Sequence, residues 1–393
     1  MTRLLYGKPI ADELARAVSQ RAAACISSGV TPCLAVVRVF ERGNDVAYEN
    51  AIERCARSVG VTLRREHIGV SESSGAFDSE MHEPPGAFDS GMHGRPGISD
   101  SKMREQSGAS DSLIAAGIPD KPHGAMIRNP SVASLETELY TILRTLASDP
   151  AVHGILLLRP LPEGMDEATA LAEIPLGKDI DGVTQAQMAA LYSAHGDFQV
   201  SGVLNREFMY ESNSNIFFPC TAEAVIRMLD HYEIPIARSR AVVIGRSTVT
   251  GKPTAQLLLA RDATVTICHS KTPNLAAVTR EADIVVVCAG LARKGRAHRL
   301  DAAYFSQGQT IIDVAVNFDA EGLYGDVDMD AVSGMENHNG SAGSAGDSPG
   351  NSVSALTPVP GGLGAVTTLV LIEHVIRAAE ESRNKREDQA THA

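Results

Sequence analysis

At 393 residues, 44% of them hydrophobic and 21% charged, the chain is long enough for two ordinary domains and too apolar for a disordered one. Its formal net charge of -13 argues against nucleic acid or an anionic membrane as partner, since either would require clustered Lys and Arg. Six cysteines (Cys25, Cys33, Cys55, Cys220, Cys268 and Cys288) include no C-x-x-C pair, which points to reduced thiols and not to a zinc site or disulfide scaffold. No secretion signal opens the chain and no apolar run reaches the ~20 residues of a membrane span, so a cytoplasmic protein is expected.

In chain order, residues 9–28 read as an amphipathic helix and 33–39 as a strand buried on both faces. A helix over 45–59 and a strand over 61–67 follow, an alternation that implies a parallel sheet with crossover helices. From 71 to 131 the chain is rich in Gly, Ser, Pro and Asp. There the stretch beginning Gly75-Ala76-Phe77-Asp78-Ser79 recurs at Gly86 and, more weakly, at Gly97, too short a period for a solenoid. His82 and His93 repeat with it, but low-complexity composition favours a surface insert over a metal site. A helix at 132–147, a strand at 154–158, a helix at 184–194 and a polar linker at 198–217 come next. The second half reads as strands at 241–244, 263–268, 283–288 and 310–316 with helices at 253–260 and 274–281, a doubly wound Rossmann-type sheet. A second insert covers 335–354, a last helix 364–380, and the charged tail after Glu381 reads as frayed. The expected fold class is α/β, with one α/β domain over 1–197, a dinucleotide-binding domain over 218–370, and 371–393 as a helix returning to the first domain, with a tail.

The clearest chemical signal is Gly245-Arg246-Ser247-Thr248-Val249-Thr250-Gly251, which lies between a strand and a helix. A glycine-rich turn there lets backbone N–H groups and the helix N-terminus approach a pyrophosphate. The next strand ends at His269-Ser270-Lys271-Thr272, without the acid that would accept a ribose 2′-hydroxyl. Arg246, Ser270 and Lys271 instead supply donors suited to a 2′-phosphate, so the cofactor expected is NADP.

Seven blocks then occur in one order: Tyr6–Ala11, Gly43–Gly60, Leu157–Pro162, Lys178–Gly182, Pro219–Thr221, Gly245–Pro253 and Thr357–Gly364. Their order and spacing resemble the bifunctional methylenetetrahydrofolate dehydrogenase/methenyltetrahydrofolate cyclohydrolase family (the FolD type), over nearly the whole chain outside the inserts. The resemblance implies an oxidoreductase of one-carbon metabolism, a tetrahydrofolate derivative bound in a cleft between two domains, and a homodimer. It makes Tyr48 the aromatic residue against the pterin and Asp181 the carboxylate that reads it. Pro360, Gly361 and Gly362 become backbone close to the ligand, and Thr221 and Val316 join Gly245, Arg246, Ser247, Gly251 and Ser270 around the cofactor.

The sequence departs from the family where acid–base chemistry is done. The family's Tyr-x-x-x-Lys reads Tyr48-Glu49-Asn50-Ala51-Ile52, and its Val-Gln-Leu-Pro-Leu-Pro reads Leu157-Leu158-Arg159-Pro160-Leu161-Pro162. Ile52 and Leu158 thus stand where the family has its catalytic lysine and the supporting glutamine. Arg54 and Arg159 are poor substitutes, because a guanidinium stays protonated, and Arg159 should leave its strand on the face opposite Leu158. Ala315 and Ala365 replace a Gly and a Pro. Hydride transfer mainly needs alignment, whereas hydrolysis of the methenyl cation needs proton delivery worth roughly 10²–10⁴-fold. The expected function is a NADP-dependent dehydrogenase with weak or lost cyclohydrolase activity. A fully bifunctional enzyme, a non-catalytic folate- or nucleotide-binding paralogue and a reductase of a different small substrate are the alternatives.

Overall fold

Apolar strands alternating with amphipathic helices build two parallel sheets in the computed structural model, which describes residues 2–69, 131–193, 216–333 and 353–391. The insert expected at 71–131, with His82 and His93, lies outside the described residues except for Ser131. So do nearly all of the linker at 198–217 and all but the end of the insert at 335–354.

A short strand β1 (Arg3–Leu4) and helix α1 (Lys8–Ser27) open the chain. Strand β2 (Cys33–Val39), α2 (Gly43–Ser58), β3 (Thr62–Ile68), α3 (Val132–Ser148) and β4 (Gly154–Leu157) follow. Helices α4 (Glu167–Ala172) and α5 (Gln185–Ser193) complete the first half. Strands β3-β2-β4 pair in parallel. Side chains alternate across β2: Ala35, Val37 and Val39 join the cluster of Leu135, Leu139, Leu143 and Leu146 on α3, whereas Leu34 and Val36 join the core of α1 and α2. Both faces are covered, which is why this strand is written almost entirely in apolar residues.

Beside this sheet His153 is buried, and its Nδ1 accepts the Cys33 N–H at 3.2 Å. Burial, with Arg386 and Lys178 adding to it, lowers its pKa from 6.5 to about 4. The unfolded chain takes up that proton first as pH falls, so stability present above pH 6.5 should drain away towards pH 4. Chemical denaturation of His153→Gln beside the parent tests this. The variant should lose less stability across that window, and parallel curves would refute the assignment.

The second half contains α6 (Cys220–His231), β5 (Arg240–Ile244), α7 (Gly251–Ala260), β6 (Thr264–Cys268), α8 (Leu275–Arg280) and β7 (Ile284–Val287). Then come β8 (Thr310–Asp313), β9 (Asn317–Asp319), β10 (Gly322–Tyr324), α9 (Met329–Ser333), β11 (Ala355–Leu356) and α10 (Gly364–Thr391). The six-stranded sheet runs β1-β11-β8-β7-β5-β6, parallel throughout. From β5 the chain steps out to β6, then crosses back to β7 on the other side. That reversal leaves a crevice at the carboxyl ends of β5 and β7, where such sheets bind ligands.

Several details differ from what the sequence implies. The strand expected over 310–316 stops at Asp313, because that carboxylate accepts the Ala315 N–H at 3.1 Å and turns the chain into the β9–β10 hairpin. The last helix does not fray at Glu381 but continues to Thr391, helped by a Glu381–Lys385 pair at i,i+4 spacing and 2.7 Å. The second insert ends earlier than expected, since Val353 is buried and the Ser354 N–H donates to the Gln309 carbonyl. Helix α6 was absent from the reading because Glu223 and Arg227 interrupt its apolar pattern; both are buried in ion pairs.

Candidate active site

The strand–turn–helix around Gly245 occupies the crevice at the reversal point. Gly245 has φ +138°, and a Cβ there would stand 2.7 Å from Cys288 Sγ, so only glycine lets the loop cross the end of β7. A Cβ on Gly251 would run into the Gly245 carbonyl. Ser247 Oγ accepts the N–H groups of Thr250 (3.1 Å) and Gly251 (3.3 Å), which holds the first turn of α7 open. Arg246 and Ser247 are exposed on this loop. The register pairs Ile244 with Cys268, so the exposed Ser270 and Lys271 follow the neighbouring strand end. Thr221 lies in the first turn of α6, and Val316 is 64% exposed just beyond β8. The bare cradle between Gly245 and Gly251, with cationic and hydroxyl groups beside it, fits a phosphorylated dinucleotide.

The other cluster gathers around Asp181. Of the two carboxylates in Asp179-Ile180-Asp181, Asp179 is a structural group, because its oxygens accept the N–H groups of Gly182 (3.1 Å), Val183 (3.3 Å) and Thr184 (2.8 Å). Gly182, at φ +70°, has no room for a Cβ against the Phe218 backbone. Beyond this tight turn, Arg159 Nη2 donates to Asp181 Oδ2 at 3.0 Å. Burial pushes the Asp181 carboxyl up to about 6 despite Arg159. Tyr48, on α2, keeps 40% of its surface exposed. Yet burial pushes its phenol well above the ordinary value, with Asp181 adding and Arg159 opposing. Open surface combined with a desolvated hydroxyl is what the wall of a concavity gives, and it places Tyr48, Asp181 and Arg159 in one electrostatic neighbourhood.

Beneath Tyr48, one helical turn on, Ile52 is fully buried and belongs to the same apolar cluster as Leu158. Arg54 points away, exposed. Arg159 is a poor base, yet it grips Asp181, and an arginine inside the apolar run 155–162 is the sign of such a partner in the sequence. The loop Pro360-Gly361-Gly362 packs on the start of α1, with the Gly7 N–H donating to the Gly361 carbonyl at 2.9 Å and the Gly362 carbonyl filling the space of a Gly7 Cβ. Pro360 and Gly361 are exposed and Gly362 is buried. Among the described residues, no group of three His, Cys, Asp or Glu could hold a metal ion, and no helix is long and apolar enough to cross a membrane.

A parallel doubly wound sheet with a glycine cradle at its reversal point defines a dinucleotide-binding α/β protein. Residues 219–383 match the family model "Tetrahydrofolate dehydrogenase/cyclohydrolase, NAD(P)-binding domain". The bifunctional protein FolD of Alkaliphilus oremlandii is 34% identical over 386 residues, covering 98% of this chain and 99% of its own length. FolD of a Parafrankia species is 34% identical over 377 residues, or 96% and 99% of the two chains. Among solved structures, the FolD methylenetetrahydrofolate dehydrogenase/cyclohydrolase of Campylobacter jejuni shares 25% identity at a TM-score of 0.68, covering 97% of this chain and 99% of that one. The chain belongs to the FolD family, whose members are dehydrogenase and cyclohydrolase enzymes.

Proposed function

We propose that this protein is a NADP-dependent methylenetetrahydrofolate dehydrogenase whose cyclohydrolase activity is weak or lost. The observation that carries the reading is the fully buried Ile52, one helical turn after Tyr48 on α2 and in the same apolar cluster as Leu158. If these positions hold the family's lysine and glutamine, no group under the reacting carbon moves a proton. NADP over NAD is supported by the exposed Arg246, Ser270 and Lys271 at adjoining strand ends. A FolD of Trypanosoma brucei with the same fold was solved with NADP, at 22% identity and a TM-score of 0.66.

Bound NADP supplies the hydride acceptor; the chain's own residues bind and orient. Tyr48 offers its ring face to the pterin, and Asp181 accepts from the pterin's amino and ring N–H groups. Arg159 holds Asp181 in its charged, accepting form. Pro360–Gly362 closes the cleft with backbone, and a homodimer is the working assembly in this reading.

The test is the initial rate of NADP reduction with methylenetetrahydrofolate across pH. Asp181 protonates below about pH 6 and then loses acceptor capacity, so the folate KM should climb up to tenfold per unit as pH falls further. Asp181→Asn should flatten that dependence, and Arg159→Leu should move the climb to higher pH, since a cation opposing protonation is gone. NADP binding without reduction at any pH would overturn the enzyme reading in favour of a binding paralogue.

A further inference from the structure

Behind the cleft runs an ionic chain, buried except towards its Arg21–Glu380 end, that the proposed chemistry does not use. Arg21 donates to Glu380 (2.9 Å) and Glu373 (2.9 Å), Arg227 lies 2.6 Å from Glu373 Oε2, and Arg227 Nε donates to Glu223 Oε1 at 2.9 Å. The chain ends on His374, which is fully buried on α10. Its Nε2 lies 3.0 Å from Glu223 Oε2, and its Nδ1 lies 2.8 Å from the Ile180 carbonyl. Although burial pushes the Glu223 carboxyl up, Arg227 and His374 hold it well below the usual carboxylate range. The Ile180 carbonyl can only accept, so Nδ1 donates to it, and Cys220 Sγ lies 3.6 Å from the same nitrogen. A second donor reaches the same carbonyl, Cys220 Sγ at 3.3 Å.

A buried ion network is weak grounds for stability by itself, because desolvation offsets much of the attraction. What singles this one out is where it ends: on the carbonyl immediately preceding Asp181, in a turn already closed by Asp179 and by Gly182 against Phe218. The Cys220 that shares this carbonyl stands next to Thr221, so α6 and α10 grip the folate-reading turn from the nucleotide side. We propose that His374 is a positioning residue for Asp181, fixing the turn through the Ile180 carbonyl so that the carboxylate meets the pterin in one orientation. The proposal rests on the reading of Asp181 as the folate carboxylate.

Three substitutions in the full chain separate positioning from ionic structure. His374→Asn sets an amide nitrogen where Nδ1 stands and keeps a donor for Ile180. His374→Leu has nearly the same shape and no donor. His374→Gln reaches Glu223 but not Ile180. With KM for methylenetetrahydrofolate, KM for NADP and kcat measured alongside the melting temperature, Leu and Gln should each raise the folate KM about tenfold, with the NADP KM unchanged. Asn should stay within about threefold of the parent. Should either Leu or Gln fail to fold, the other still decides against Asn. A folate KM that is equal in Asn and its comparison variant, or lower in Gln than in Asn, overturns the proposal. Asp181→Asn in the same assay tells the two failures apart. An unchanged folate KM there removes the role of Asp181 and the proposal with it, whereas a raised one with unaffected His374 variants removes the proposal alone.

Discussion

Ile52→Lys combined with Leu158→Gln should raise methenyltetrahydrofolate hydrolysis by roughly 10²–10⁴-fold, the usual worth of a positioned general acid–base group. Ile52 is fully buried among apolar neighbours, so a lysine there is desolvated and its pKa falls towards the range in which it can exchange protons. Under the proposed assignment, a glutamine in place of Leu158, which is buried in the same cluster, supplies the acceptor that such a lysine needs. Ile52→Lys alone should gain less and lose more stability, because an unpartnered buried ammonium costs several kcal/mol. Loss of methenyl absorbance, read alongside a melting curve, checks both. A double variant that folds but hydrolyses no faster would mean that the missing function is not confined to these two side chains.

Gly245→Ala should weaken NADP binding on the order of 10²-fold while leaving the fold in place. The backbone there has φ +138°, and the new methyl would meet Cys288 Sγ at 2.7 Å and the Cys288 carbonyl at 2.8 Å. Strain of about 1–3 kcal/mol plus the clash must be relieved by moving the loop, which is the phosphate cradle in the proposed function. Titration calorimetry with NADP reads this directly; parent-like affinity would show that the cradle lies elsewhere.

Much of this was legible in the residues. Apolar runs such as 33–39 gave the buried strands, and glycines at 245 and 251 marked the cradle, because both signals are local. What was not legible depended on partners far along the chain. Asp179 and Asp181 look alike in composition and only the family resemblance separates them; that Asp179 caps backbone while Asp181 pairs with Arg159 shows in the turn alone. Helix α6 was hidden because its Glu223 and Arg227 look like solvent-facing charge until Glu373 and His374 arrive from α10, some 150 residues later. Arg159 was judged by its chemistry alone, since its pairing with Asp181 spans 22 residues and a change of element.

The most direct test compares two rates in one preparation: NADP-dependent oxidation of methylenetetrahydrofolate and hydrolysis of methenyltetrahydrofolate. Oxidation that proceeds while hydrolysis lags by roughly 10²–10⁴-fold is the result expected from an apolar Ile52–Leu158 floor. Hydrolysis keeping pace with oxidation would contradict it.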